Sequence, residues 1–341
     1  MRPMVTCPRV NRRSAILATA ATIAFPFFSR SAALAAAKII RISTPGSPEE
    51  WQTKALAIFK QELEGAAPGQ FDVQIHDSGT LFGQGTEVEA MQRGNLEVGL
   101  VSPQDIASLI PEYSIFTTGY LMRDPKHLDA VFDGDIGKEY AARVEKEIGI
   151  HIVRSQYLGT RHVILRQPRT VNTPADLTGI KLRMPGSETW QFLGNALGAN
   201  ATPLAFEEVY LALQTGTIDG LENPLPDAEA GKFYEVAKQV VLTGHMVANI
   251  FFAFSKSFWD GLSADQKAAI ERAEAKAKDF NDQGVIHTEA DAKGFFESKG
   301  VKVTSPDVAA FRQQVQKKFL DSKFAANWPK GMLERINKAG T

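Results

Sequence analysis

Two stretches of this chain spell nearly the same phrase. One runs Ala90-Met91-Gln92-Arg93-Gly94-Asn95-Leu96-Glu97 and the other Ala212-Leu213-Gln214-Thr215-Gly216-Thr217-Ile218-Asp219. Each reads as a helix end, a glycine in the left-handed position that stops it, and a short strand. An acidic residue and a valine also precede both copies, Glu87-Val88 and Glu208-Val209. A repeated helix–turn–strand unit restricts the chain to α/β architectures with two similar lobes. Two lobes imply a cleft, and clefts between domains are where small ligands bind.

The first 37 residues differ in kind from the rest. Arg2, Arg9, Arg12 and Arg13 form a basic stretch with no acidic residue, and Ala15 to Phe28 is apolar but short for a membrane span. Ala33-Leu34-Ala35 and Ala35-Ala36-Ala37 fit small-residue cleavage sites. Residues 1–37 therefore read as a secretory signal peptide, with export to the periplasm. Arg12-Arg13 leaves twin-arginine and ordinary Sec routes both open. The single cysteine, Cys7, falls in that segment, so the mature chain is expected to have no thiol or disulfide chemistry. Taking the five arginines of that segment from the 38 basic residues leaves 33 against 39 acidic ones. That balance is no footprint for nucleic acid.

Along the chain, Lys38 to Ser43 and Phe71 to His76 alternate as strands. Ser47-Pro48-Glu49-Glu50 offers a capping box and Pro at the first helical position. The β-α-β-α-β order predicts a mainly parallel sheet. Strands are expected at Ile150 to Gln156, Arg161 to Leu165, Ile180 to Met184, Val247 to Phe254 and Val301 to Val303. Helices are expected at Glu188 to Leu197 and Phe206 to Thr215. A long helix opens at Ser263 and runs to about Gly284, with Ile270, Ala273, Ala277 and Phe280 on one face.

Enzyme signatures are few. The chain has no Gly-x-Ser-x-Gly, no Walker loop and no His-Glu-x-x-His, and its six histidines are not paired at metal-ligand spacing. No catalytic residue, metal or cofactor is expected. Two arginines stand out. Arg183 lies near the carboxyl end of a strand, where α/β sheets bind ligands, and a guanidinium grips a carboxylate through two parallel hydrogen bonds. Arg161 opens a strand after Gly159-Thr160, and Asn223 lies just past the second repeat strand. On spacing alone each arginine fits a structural ion pair better than a ligand clamp.

Gly159-Thr160-Arg161, Leu182-Arg183-Met184-Pro185, the run Glu208 to Gln214 and the run Asp219 to Pro224 form an ordered set of motifs. With Leu81-Phe82-Gly83 and Phe233-Tyr234-Glu235-Val236, it resembles the solute receptors of tripartite ATP-independent periplasmic (TRAP) transporters, the C4-dicarboxylate-binding or DctP-type family. The resemblance covers essentially the whole mature chain. It implies a two-lobed periplasmic-binding-protein fold with a ligand cleft and a long bracing helix. Lobe 1 would hold residues 38–160 with 249–288 returning to it, and lobe 2 residues 161–248 with 289–341. It implies a monomeric receptor that closes on a small organic acid and delivers it to membrane permease subunits. Carried over by motif, Arg183 matches the carboxylate clamp, Arg161 a second pocket arginine, Asn223 the pocket asparagine and Phe206 an aromatic wall. Ser102 stands where sialic acid receptors carry an acidic pocket residue. Trp51, Tyr157 and Trp190 face either the cleft or the core. A periplasmic enzyme on the same scaffold, or a receptor feeding a signalling or ATP-driven system, is the alternative.

Overall fold

The structure is a computed structural model that describes residues 36–340. The leader expected over residues 1–37, with Cys7, lies outside the described residues apart from Ala36 and Ala37. Among the described residues no helix is long and apolar enough to cross a membrane.

Among the described residues nine strands form one sheet: β1 (Lys38–Ser43), β2 (Phe71–His76), β3 (Val98–Val101), β4 (Ile150–Leu165), β5 (Lys181–Met184), β6 (Asn200–Pro203), β7 (Gly220–Pro224), β8 (Gln239–Ser255) and β9 (Lys302–Thr304). Their order is β2-β1-β3-β8-β4-β7-β5-β6, with β9 also on β8. The order is a palindrome of roles. In one half β1 lies between β2 and β3, all parallel. In the other β5 lies between β6 and β7, all parallel. Each trio joins one long strand antiparallel, β3 to β8 and β7 to β4, and the long strands pair antiparallel with each other.

The repeated phrase sits where this symmetry requires. The helices Glu87–Gln92 and Val209–Thr215 end at Gly94 (φ 73°) and Gly216 (φ 78°), then lead into β3 and β7. Only glycine takes that left-handed turn without a Cβ clash. A second echo lies at the ends of β1 and β5. Pro45-Gly46-Ser47 precedes Trp51, and Pro185-Gly186-Ser187 precedes Trp190.

The expected mainly parallel sheet is therefore mixed, because β4 and β8 run antiparallel through both halves. β4 is also one strand, not two. Register shifts at Ile152/Arg154, Tyr157/Gly159 and Arg161/Val163, with Gly159 at φ 122°, break the alternation by which a strand is read. The helix expected at Ser47 starts at Trp51. Glu50 does accept from the Ser47 N–H at 3.0 Å, but the Ser47 hydroxyl finds no partner, so only half of that capping box forms. The Phe206 segment begins as a 3₁₀ turn and becomes helical at Val209.

Both sheet faces are covered in each half. Ile40, Phe59, Phe252 and Ile270 pack on one face of the first half, and Tyr113, Val131, Tyr140 and Phe251 on the other. Leu182, Trp190, Leu193 and Phe311 cover one face of the second half, and Val209, Leu213, Leu221 and Phe296 the other. The long helix runs Ala264–Ser298, capped by Ser263 and Gln266. Ile270, Ala273 and Ala277 join the first half's core and Ala292 and Phe296 the second's, so one rod braces both. It passes Gly284, where a Cβ would lie 2.3 Å from the Trp51 ring. That glycine marks a close approach and not an end. The terminal helix Met332–Lys338, grouped above with lobe 2, packs on the first half instead. Met332 and Ile336 join its core, His127 Nε2 lies 2.8 Å from the Ile336 carbonyl, and Arg123 donates to the Asn337 and Ala339 carbonyls.

Candidate functional site

A cavity of about 590 Å³ lies between the two halves, lined by the carboxyl-terminal ends of β1, β3, β5 and β7. Parallel trios bring those ends to one place, the usual ligand position in α/β sheets. Arg183, Arg161, Asn223, Phe206 and Ser102 all line it.

The two arginines differ in what they already hold. Arg161, on β4, sits opposite Pro224 of β7. Its Nε and Nη2 grip the Glu222 carboxylate at 2.5 and 2.8 Å, and Nη2 also donates to Asn223 Oδ1 at 2.9 Å. Its guanidinium lies 4.7 Å from the Trp190 ring centre. His245 Nε2 lies 3.1 Å from the same carboxylate. Burial alone would raise the Glu222 pKa, but the charge of Arg161 and the hydrogen bonds from His245 and Arg161 bring it to about 2. Arg161 thus has its anion, inside one half of the molecule.

Arg183 has none. It is 1% exposed, and no carboxylate oxygen among the described residues lies within 4.0 Å of it. Its Nε donates to the Leu204 carbonyl at 2.8 Å, and Nη2 donates across the cleft to Gln84 Oε1 at 2.5 Å. The Phe206 ring centre lies 5.6 Å from its guanidinium carbon. Burial lowers its pKa to about 9, still protonated at neutral pH. A buried cation without a counter-charge is costly, and the cost falls when an anion arrives.

Asn223 complements it. Arg161 takes its Oδ1, which orients the amide, and its buried Nδ2 has no partner among the described residues. Ser102 is less free than its place suggests. It caps the short helix Pro103–Ala107, and its N–H and hydroxyl both donate to Asp105, at 3.0 and 2.6 Å. Trp190 lines the cavity. Trp51 and Tyr157 do not; they bond Thr288 and Glu289 of the long helix.

Sequence reasoning missed the facing wall. Glu50, Glu87, Asp105 and Asp227 line the same cavity, with Gln52 and Gln84. None has a cation within 4.0 Å among the described residues. Burial raises all four carboxyl pKa values, Glu87 to about 8 with a further push from Asp105. Ser102-Pro103-Gln104-Asp105 is a legible cap that could have located Asp105, and Glu87 opens the first repeat helix. Nothing in the sequence flags Asp227. Among the described residues no group of three or more His, Cys, Asp or Glu is placed to hold a metal.

Residues 42–325 match the sequence model of the bacterial extracellular solute-binding protein family 7, the DctP family. The chain belongs to this family. It is a TRAP-type solute-binding protein, and relatives agree on both counts. The sialic acid-binding periplasmic protein SiaP of Vibrio cholerae is 30% identical over 295 residues, 86% of this chain and 91% of its own. The C4-dicarboxylate-binding periplasmic protein DctP of Rhodobacter capsulatus is 31% identical over 249 residues, 73% of this chain and 74% of its own. A TRAP periplasmic solute-binding protein from Roseobacter denitrificans, solved with bound 3-deoxy-D-manno-oct-2-ulosonic acid, is 44% identical. It superposes with a TM-score of 0.86 over 89% of this chain and 100% of its own. The two-lobed fold with its central cleft is therefore the family's fold.

Proposed function

We propose that this protein is an extracytoplasmic receptor that binds a small organic acid in the cleft and hands it to the permease subunits of a TRAP transporter. What supports the reading is Arg183, a buried guanidinium with no anion among the described residues, in the same half as the unpartnered Nδ2 of Asn223. A ligand carboxylate supplies the missing charge and takes both donors. Arg161 orients Asn223 and neutralises Glu222, Phe206 walls the Arg183 side, and Ser102 holds Asp105 at the rim. Residues 38–160 with 249–288 act as one lobe and 161–248 as the other, with the terminal helix riding on the first. Binding draws them together by hinge motion at β4, β8 and the long helix. The chain performs no reaction, works as a monomer in the periplasm after its leader is removed, and binds no nucleic acid.

Thermal-shift screening of the mature chain against organic acids tests this. A ligand at 100 times its dissociation constant adds about 2.7 kcal/mol. Stabilisation at one ligand per chain, with the acid recovered unchanged, is the expected result. Turnover of the acid, or no carboxylate that stabilises, contradicts it.

A further inference from the structure

The loop that carries Leu81-Phe82-Gly83 reaches from the first half of the molecule to the second. Its backbone turns through the left-handed region at Ser78 (φ 55°), Gly79 (φ 68°) and Gly85 (φ 88°). The Ser78 and Gly79 N–H groups donate to the Gly46 and Thr44 carbonyls, and the Phe82 N–H to the Ser43 hydroxyl. Leu81 and Phe82 pack on the first half's core. The loop is thereby fastened to the end of β1, and its tip faces the second half. A Cβ at Gly83 would lie 2.8 Å from Glu207 Oε1, and one at Gly79 3.1 Å. Two bare glycines therefore leave room for a side chain of the other half. Beside them Gln84 Oε1 accepts from Arg183 Nη2 at 2.5 Å.

Two properties of that bond decide its role. It spans the cleft, so it forms only when the halves are together. It is also uncharged on the loop side. Arg183 has five N–H donors, of which the Leu204 carbonyl takes one and Gln84 another. The remaining donors are left for a ligand carboxylate, so Gln84 and the ligand can hold one guanidinium together. An acid in place of Gln84 would supply the counter-charge and satisfy Arg183 with no ligand at all. An amide cannot, so closure still gains most from an incoming anion. Resting on the receptor reading above, we propose that Gln84 is the residue that keeps the cleft shut over its ligand. It is a positioning residue that acts through Arg183 to slow release, and its lack of charge keeps the cleft from closing tightly on nothing.

Stopped-flow kinetics and small-angle scattering on the mature chain test it. The probes are 3-deoxy-D-manno-oct-2-ulosonic acid, L-galactonate and succinate, and the one that wild type binds most tightly is carried through. Gln84→Met keeps the length of the side chain and removes its acceptor. It is expected to speed release at least about ten-fold and to leave association within about three-fold, because a bond made only on closure does not assist encounter. Gln84→Glu is expected to have a smaller radius of gyration than wild type without ligand, since Arg183 is then neutralised from across the cleft. The same variant is expected to bind the acid at least about ten-fold more weakly. A side chain that merely packed would move neither the radius nor the balance of rates. Release from Gln84→Met within about three-fold of wild type overturns the proposal and leaves the receptor standing. So does a Gln84→Glu chain with the wild-type radius or the wild-type affinity. If Gln84→Met does not fold, Gln84→Ala carries the same kinetic comparison. No binding of any probe by wild type overturns the receptor reading, and the proposal with it.

Discussion

Arg161 and Arg183 line one cavity, yet their side chains carry different burdens. Arg161 is locked to Glu222, and Glu222 in turn serves His245. Glu222→Gln should therefore strip the anion from a buried cation and cost about 3–5 kcal/mol of stability, read as a lower urea midpoint without ligand. Arg183 should behave oppositely. Its charge is uncompensated before ligand arrives, so Arg183→Met should hold or raise the melting temperature of the unliganded chain. Binding should suffer instead. Loss of one partner of a buried ion pair is worth about 3–5 kcal/mol, so Arg183→Ala should weaken ligand binding by about two to three and a half decades. Arg183→Lys keeps the charge without the planar fork and should recover part of that. Calorimetry on folded variants checks it, and binding within a few-fold of wild type would remove Arg183 from the clamp.

At the scale of elements, the long helix shows how a local rule yields to packing. Glycine normally weakens a helix interior, and Gly284 reads as a stop. In the folded chain the Trp51 ring occupies the space a Cβ would need, at 2.3 Å, while a Cβ at Gly294 on the same helix meets nothing within 4 Å. Gly284→Ala should cost about 1–3 kcal/mol through overpacking, and Gly294→Ala should gain about 0.5–1 kcal/mol through helix propensity. Paired thermal melts test the contrast. Opposite roles for two glycines of one helix were invisible in their own positions, because the deciding atom belongs to a residue on another helix.

The whole molecule buries acids, Glu50 and Glu87 in its cleft and Glu274 on the long helix, and that sets a pH profile. Burial raises Glu50 and Glu274 to about 7 and Glu87 to about 8. Between about pH 4.5 and 8 the folded chain keeps protons that the unfolded chain has released, so stability falls as pH rises. One such group changes it by up to about 1.4 kcal/mol per pH unit. On the acid side, burial followed by the charge of His245 lowers His162 to about 3, and Glu222 sits at about 2. The unfolded chain takes up protons that folded His162 and Glu222 refuse, and these outweigh the three raised carboxyls only below about pH 4.5, where stability falls again. The melting temperature without ligand should peak near about pH 4.5, where these opposing terms balance, and Glu87→Gln should flatten its alkaline side. A melting temperature that climbs steadily to pH 8 would contradict this. The same molecule should also shrink on binding: small-angle scattering should give a smaller radius of gyration at saturation than without ligand.

What the sequence determined is local or periodic. The glycine-stopped repeat set two like lobes, strand alternation placed β1 and β2, Ser263 and Gln266 marked the start of the long helix, and the motif set around Arg183 carried the family. These depend on neighbours within a few residues, where chirality and hydrogen-bonding needs leave few choices. The tertiary structure alone decided the rest. It ran β4 and β8 antiparallel through both halves, carried the long helix past Gly284, and seated the last helix on the first lobe. It gave Arg161 an anion 61 residues away and Arg183 none, and it brought Glu50 and Asp227 from opposite halves to one wall. Burial and counter-charge belong to positions in space, and a one-dimensional pattern holds no measure of which side chains meet when water is excluded.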